Sequence, residues 1–181
     1  TTLFRSRSTF SFDAERGFVL NGQKVLINGA CVHHDDGVLG AMAFDDAEIR
    51  KVRQMKEAGF SLIRTSHNPT TRAFLDACDS IGMLVIGEAF DGWRTAKKPY
   101  DYSTLIDSCY REDIRAMVER DRNHPAMMLW SLGNESGYGC CHEAMAEAMR
   151  KIDTARPIHY ERDQWEKEAD ATKCILFLER S

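Results

Sequence analysis

The feature that most constrains the fold of this chain is a regular alternation of continuously apolar segments with amphipathic ones. Residues 83–90 (MLVIGEAF) and 126–135 (AMMLWSLGNE) lack the apolar–polar alternation of a half-exposed strand, and a segment with helical periodicity follows each of them. Continuous apolar character is typical of strands covered on both faces, and alternating helices provide that cover. The sequence therefore predicts an α/β fold built on a parallel sheet.

Turn-forming residues mark the limits of the predicted elements. Asn21-Gly22 predicts a tight hairpin within the extended N-terminal part of the chain. Residues 45–60 form an amphipathic helical pattern that ends at Gly59. The remaining predicted elements are strands at 61–67 and 157–162 and helices at 70–82, roughly 104–120 and 140–153.

Composition excludes several kinds of partner. The chain of 181 residues has a formal net charge of -4, so it lacks the basic surface that nucleic acid requires. No apolar run approaches the length of a membrane span, about 20 residues. The six cysteines form no metal-binding or disulfide pattern, so we expect reduced and mostly buried thiols, which favours a cytoplasmic location.

Polar side chains gather where the predicted strands end, and no comparable group gathers at their other ends. In chain order these residues are His33, His34 and Asp35; Arg64, His67 and Asn68; Glu88, Asp91 and Trp93; and Asn134 and Glu135. Convergence of side chains from every strand is typical of the active face of a (β/α)8 barrel. We therefore predict a partial TIM barrel that comprises about the first five strand–helix units.

Glu135 is the candidate catalytic residue. It follows an apolar strand and precedes a glycine-containing turn, and Trp130 and Trp93 would partly shield such a carboxyl from water, as a general acid requires. Asn134 offers two donors and an acceptor to a sugar hydroxyl. The alternative is that Glu135 caps the next helix or forms a surface ion pair.

The other candidates have competing interpretations. For His33, His34 and Asp35, contacts to a bound ligand rank first, a hydrogen-bonded turn second and a metal site last, because no metal-ligand spacing is present. Arg64 would orient a carboxylate, and Glu88 is one candidate for that carboxylate. Trp93 and Trp130 are either core residues or aromatic faces that stack on a sugar ring, and Trp93, in a polar loop, is the better candidate for stacking.

Three segments in this order resemble glycoside hydrolase family 2: LINGACVHHDDGVLG, IRTSHNPTTRAFLDACDSIGMLVIGEAFDGW and DRNHPAMMLWSLGNES. The resemblance covers roughly residues 21–163, and its HHD and HNP forms are closer to β-galactosidase-type members than to typical β-glucuronidases. It implies hydrolysis of terminal β-glycosidic bonds, a small carbohydrate as substrate, and a full-length protein that could be a homo-oligomer. It implies no cofactor, and because AFDGW does not match the magnesium-binding segment of some family members, we predict no metal.

The resemblance also assigns roles to individual residues. Glu135 would be the general acid/base, and Asn134 would contact the sugar's 2-hydroxyl. The remaining implied substrate-binding residues are His67, Asp35, His34, Arg64, Glu88 and Trp93, with Arg64 orienting the nucleophilic carboxylate and Asp35 holding outer hydroxyls. β-Glucuronidase or β-mannosidase specificity and a non-catalytic sugar-binding remnant are the alternatives.

A retaining glycosidase needs a second carboxylate about 5–5.5 Å from the first. No acidic residue after Glu135 lies in an apolar strand as the family's nucleophile does. We therefore expect residues 1–20 to be an N-terminal extension and residues 21–163 to be a partial, inactive and marginally folded barrel. Residues 164–181 depart from the family, and we expect a disordered or frameshifted tail.

Overall fold

A computed structural model describes residues 9–94, 96–135 and 140–160 of the chain. The predicted tail at 164–181 lies outside the described residues, as do residues 136–139, for which the sequence predicted a turn. All structural statements below concern the described ranges.

The chain begins with a small antiparallel sheet. Its strands are β1 (Phe10–Asp13), β2 (Gly17–Leu20) and β3 (Gln23–Lys24), in the order β1-β2-β3. Between β2 and β3, Asn21 and Gly22 have φ angles of 50° and 80°, the left-handed conformations that a tight hairpin turn requires. The hairpin predicted at these two residues is confirmed.

The second sheet contains five parallel strands in chain order. They are β4 (Gly29–His33), β5 (Leu62–Ser66), β6 (Leu84–Glu88), β7 (Met127–Ser131) and β8 (Ile158–His159). Every neighbouring pair is parallel, and a register shift between Val85 and Ile86 separates two parts of the β6–β7 pairing. The strand order and direction confirm the predicted α/β class and agree with consecutive units of a TIM barrel.

Four helices connect these strands. They are α1 (Asp45–Glu57), α2 (Arg72–Ile81), α3 (Ile106–Asp121) and α4 (Cys140–Arg150). At the start of α2 the Thr71 hydroxyl accepts a hydrogen bond from the Phe74 amide, and α2 ends at Gly82 with a φ of 75°. The cap and the glycine stop explain why the predicted limits of this helix lie within two residues of the observed ones.

The parallel sheet separates two apolar clusters. One face of the strands packs against the helices, with Ile63, Val85 and Trp130 in the larger cluster. On the other face, Leu62 and Met128 pack with residues of the small sheet, including Phe18 of β2. The small sheet therefore covers the apolar, amino-terminal part of the inner face, and the polar side chains lie toward the carboxyl ends of the strands.

Two expectations from composition are addressed by the fold. Among the helices of the described ranges, none combines the length and apolar character needed to cross a membrane. The cysteines are less uniform than predicted, because Cys78 is buried whereas Cys31 is exposed and Cys109 is intermediate. Burial raises the pKa of the Cys78 thiol.

Candidate active site

Glu88 lies at the centre of a polar cluster at the carboxyl end of the sheet. Its side chain has no exposed surface. One carboxylate oxygen, Oε2, accepts hydrogen bonds from Arg64 Nε and Ser131 Oγ, each at 2.7 Å, and Oε1 lies 2.6 Å from His67 Nδ1. The cluster thus joins the ends of β5, β6 and β7.

The burial of Glu88 corrects the prediction that it binds substrate directly. A buried carboxylate is tolerated only where partners replace its water, and Arg64, His67 and Ser131 supply them here. The main-chain amide of Glu88 also donates to Thr65 Oγ1 at 3.1 Å. Because Glu88 has no surface to offer a ligand, it orients Arg64 and His67, as the alternative interpretation of Arg64 proposed.

Asn134 extends the cluster to the residue before the candidate acid. Its Oδ1 accepts a hydrogen bond from Arg64 Nη2 at 3.2 Å, and its Nδ2 donates to Asp91 Oδ1 at 3.1 Å. Its main-chain amide donates to the Phe90 carbonyl at 3.0 Å. Side-chain and main-chain bonds therefore fix Asn134 at the end of β7, and only 7% of it is exposed.

Glu135 is exposed and follows Asn134 directly. Its φ of 46° places it in the left-handed region, which is uncommon for a residue with a side chain. Backbone strain of this kind persists only where surrounding contacts determine the conformation, and it is concentrated at functional sites. The bonds to Asn134 provide such contacts on the amino-terminal side of Glu135.

Lys97 and Asp91 form a second layer around Asn134. Lys97 Nζ donates to Asp91 Oδ1 at 3.0 Å and to the Asn134 carbonyl oxygen at 3.0 Å. Partial burial acts to raise the pKa of the Asp91 carboxyl, but hydrogen bonds from Lys97 and Asn134 outweigh it and hold that pKa below its ordinary value. Asp91 is therefore an anion at neutral pH. Lys97 was not identified from the sequence, and Asp91 was placed among the polar residues at the strand ends but given no role.

His33 is the last residue of β4, and His34 follows it directly. The rings of His33 and His67 meet edge to face, with centroids 5.1 Å apart. His33 and His34 both line a small cleft with Lys51 and Asn68. The predicted role of His34 stays a prediction, and the structure brings His33 into contact with the cluster as well. Strand alternation could have identified it, because His33 shares a face with Cys31, whose Sγ lies 3.8 Å from Arg64 Nη1.

Asp35 is exposed, and its Oδ1 accepts a hydrogen bond from the Gly37 amide at 3.5 Å. This bond is typical of the turn that was the second-ranked interpretation of the segment. It leaves the predicted contact between Asp35 and the outer hydroxyls of a sugar as a prediction.

Both tryptophans lie in the core, which was one of the two interpretations of these residues, and the burial of Trp93 speaks against the stacking on a sugar that was predicted for it. Trp93 is 3% exposed, its Nε1 donates to the Leu132 carbonyl at 3.3 Å, and its ring stacks on Tyr160 with centroids 5.5 Å apart. Trp130 is fully buried and donates to Asp153 Oδ2 at 3.0 Å. Trp93 therefore presents no open face to a sugar, and the shielding of Glu135 by the two indoles stays a prediction.

A cleft of about 570 Å³ opens beside the cluster. His67 and Asp91 contribute to its polar wall, and Phe90 and Tyr102, whose rings stack at 5.6 Å, contribute to its apolar wall. This volume is in the range of clefts that bind small molecules, and a mixed polar and aromatic wall suits a pyranose ring.

A group of potential metal ligands also occurs among the described residues, away from this cleft. Ligand atoms of Asp76, Asp79 and His124 lie within 4.8 Å of one another. His124 Nδ1 is 2.7 Å from Asp79 Oδ2, and Asp79 Oδ1 accepts from the Ala126 amide at 2.8 Å. These bonds explain the group as a structural link between α2 and the start of β7, and the absence of a metal remains a prediction.

The chain is similar in sequence to a known family and to proteins of that family. The family model described as glycosyl hydrolases family 2, TIM barrel domain, matches residues 14–179. β-Galactosidase BoGH2A of Bacteroides ovatus is 46% identical over 127 residues, which cover 70% of this chain and 15% of that protein. A putative β-glucuronidase of Formosa agariphila is 41% identical over 148 residues, which cover 81% of this chain and 14% of that protein.

Solved structures extend the likeness to the fold. A glycosyl hydrolase family 2 member from Bacteroides cellulosilyticus superposes with a TM-score of 0.81 and 45% identity, over 84% of this chain and 20% of that one. A β-glycosidase from Bacteroides vulgatus superposes with a TM-score of 0.81 and 35% identity, over the same shares. The two curated relatives are matched over 15% and 14% of their length, so this chain spans about a seventh of those proteins. On the family match and the shared barrel fold, this chain belongs to glycoside hydrolase family 2 and carries part of its TIM barrel domain.

Proposed function

We propose that the chain is part of the catalytic barrel of a retaining, β-galactosidase-like enzyme that hydrolyses terminal non-reducing β-glycosidic bonds. The observation that carries the proposal is the network of Glu88, Arg64 and Asn134, which fixes the residue directly before Glu135 at the carboxyl end of the sheet. The identity to a β-galactosidase supports the choice of sugar.

In the proposed mechanism, protonated Glu135 donates its proton to the glycosidic oxygen while a second carboxylate attacks the anomeric carbon. This step breaks the bond to the leaving group and forms a covalent glycosyl-enzyme. The Glu135 carboxylate then removes a proton from water, which attacks the same carbon and releases the sugar with its configuration retained. An exposed position suits Glu135, because both the leaving group and the water must reach it.

Among the other predicted site residues, Asn134, His67 and Arg64 would bind the sugar or orient the groups that react with it. We propose that Asn134 contacts its 2-hydroxyl and that His67, held by Glu88, faces the ring from the wall of the cleft. His33 joins His67 in this proposal. Arg64 would orient the second carboxylate, which we propose lies outside these 181 residues, so the chain alone would not turn over substrate.

The proposal is tested in a chimera in which residues 14–160 replace the corresponding segment of the Bacteroides ovatus β-galactosidase. We expect the chimera to hydrolyse 4-nitrophenyl β-galactoside and methyl β-galactoside, and Glu135→Gln to lower kcat/KM for methyl β-galactoside by about 10²- to 10⁴-fold, the usual contribution of a general acid. Glu112→Gln, which removes an exposed carboxylate on α3, is the matched control and should leave the rate unchanged.

Full activity of the Glu135→Gln chimera would refute the assignment. Turnover of the 4-nitrophenyl β-glucuronide in place of the galactoside would favour the specificity given to the Formosa relative. A folded chimera that binds galactose and hydrolyses neither substrate would indicate a sugar-binding remnant. The 181-residue chain, assayed alone, should show no stoichiometric release of nitrophenol.

A further inference from the structure

We propose that Lys97 is a positioning residue for the general acid/base, acting through the main-chain carbonyl of Asn134. This inference rests on the function proposed for Glu135. Lys97 belongs to the loop between β6 and α3, whereas Asn134 and Glu135 belong to the turn after β7. Lys97 therefore links two loops, and neither β6 nor β7 alone fixes the position of one loop relative to the other.

The ammonium group of Lys97 contacts one acidic side chain and two carbonyl oxygens. Its Nζ donates to Asp91 Oδ1 at 3.0 Å, to the Asp91 carbonyl at 2.5 Å and to the Asn134 carbonyl at 3.0 Å. An ammonium group has three hydrogens to donate, and these three acceptors match that number. The Lys97 side chain is 29% exposed and that of Asp91 is 60% exposed, so water screens the ion pair between them.

The Asn134 carbonyl is the group that connects Lys97 to the chemistry. It belongs to the peptide unit between Asn134 and Glu135, and the orientation of that unit helps to determine the φ of Glu135. At 46° this φ is unfavourable for a residue with a side chain, so the conformation depends on external contacts. A charged donor on this carbonyl is such a contact, and charge-assisted bonds are stronger than neutral ones.

The other bonds of Asn134 hold different atoms. Arg64 and Asp91 bind its carboxamide, and Phe90 binds its amide nitrogen. These groups fix where the residue lies, whereas Lys97 binds the side of the residue that leads into Glu135. Loss of the Lys97 ammonium should therefore misplace the Glu135 carboxyl while leaving the sugar-binding side chains in position.

A misplaced acid has a specific kinetic consequence. Protonation of the leaving group is essential for an alkoxide, which is a poor leaving group, and unnecessary for 2,4-dinitrophenolate. We therefore expect Lys97→Met in the active chimera to lower kcat/KM for methyl β-galactoside by about 30-fold or more, but for 2,4-dinitrophenyl β-galactoside by less than about 3-fold. Lys97→Arg, which keeps a charged donor, should restore most of the loss.

Lys98→Met is the matched control because it removes the same charge one residue away. Lys98 is exposed, and its main-chain amide donates to Asp101 Oδ2 at 3.0 Å. This variant should behave as the parent does on both substrates. Equal losses on both substrates for Lys97→Met would show a general structural role and overturn the proposal, as would parental activity on both.

A second measurement uses the 181-residue chain itself. Hydrogen exchange at the Asn134 and Glu135 amides should accelerate in Lys97→Met and remain at the parental rate in Lys98→Met. Unchanged exchange in Lys97→Met would overturn the proposal even if the chimera failed to fold.

The proposed function and the role of Lys97 can fail separately. A fully active Glu135→Gln chimera refutes the proposed function, whereas loss of activity in that variant without selective loss in Lys97→Met refutes the role of Lys97 alone.

Discussion

The buried carboxylate of Glu88 gives the sharpest prediction about stability. Replacing it with methionine in the 181-residue chain keeps an apolar side chain of similar length but leaves Arg64 without its principal anionic partner. It also removes the acceptor for Ser131 Oγ and the partner of His67 Nδ1. The perturbation therefore affects three groups that were oriented by one fully buried side chain.

The expected magnitude follows from these contacts. Breaking a buried ion pair by removing one partner costs about 3–5 kcal/mol. Arg64 is 16% exposed and keeps its hydrogen bond to Asn134 Oδ1, so its guanidinium group remains partly solvated and partly hydrogen-bonded. We therefore expect the free energy of unfolding to fall by about 3 kcal/mol, near the lower end of that range.

Urea unfolding followed by circular dichroism measures this change, with the m-value checked for constancy. Arg64→Met/Glu88→Met should recover at least about 1 kcal/mol of the loss, because it removes the stranded cation. Glu112→Met, at an exposed position on α3, should stay within about 0.5 kcal/mol of the parent. A loss below about 1 kcal/mol in Glu88→Met would refute the account of this cluster.

Three further predictions concern other parts of the fold. A hydrogen bond with Asp79 holds the pKa of His124 above its ordinary value. The stabilising contribution of His124 is therefore present below about pH 6.5 and declines as pH rises through the raised pKa. Urea midpoints between about pH 6 and 8 should show this decline in the parent and a flatter profile in His124→Gln. Trp93→Phe should lower the free energy of unfolding by about 1–2 kcal/mol, through loss of the bond to Leu132, and leave galactose affinity in the chimera unchanged, which isothermal titration would check. Gly82→Ala should cost about 1 kcal/mol in thermal unfolding because of the φ of 75°, and no loss would contradict the assigned helix end.

The parts of the fold that follow from local sequence were predictable. The continuous apolar character of residues 83–90 and 126–135 indicated strands covered on both sides, and these segments contain β6 and β7. Asn21-Gly22 and Gly82 require left-handed backbone, so they placed a hairpin and a helix end correctly. These signals are physical constraints on single residues or on short periodic patterns.

The parts that depend on tertiary packing were not predictable in the same way. The position of Trp93 in a polar loop suggested exposure, but its indole is buried through contacts with Leu132 and Tyr160, which are distant in sequence. The contact of His33 with His67 depended on the phase of β4, which a run of adjacent polar residues does not reveal. The bond from Lys97 to Asn134 spans 37 positions and follows no motif.

The sequence predicted those residues of the site that lie at the carboxyl ends of the strands. Arg64, His67 and Asn134 meet around Glu88, as expected for residues at the carboxyl ends of adjacent parallel strands. The division between groups that touch a ligand and groups that support them was not predictable, because burial decides it. Glu88 is the clearest case, since its side chain has no exposed surface.

The catalytic role of Glu135 is tested most directly by chemical rescue of Glu135→Ala in the chimera. With 2,4-dinitrophenyl β-galactoside, whose leaving group needs no acid, the glycosyl-enzyme should form and then persist, because no base activates water. Azide needs no base, so we predict that its addition restores turnover and yields β-galactosyl azide. Hydrolysis by Glu135→Ala at the parental rate, with galactose as the product in the presence of azide, would contradict the account.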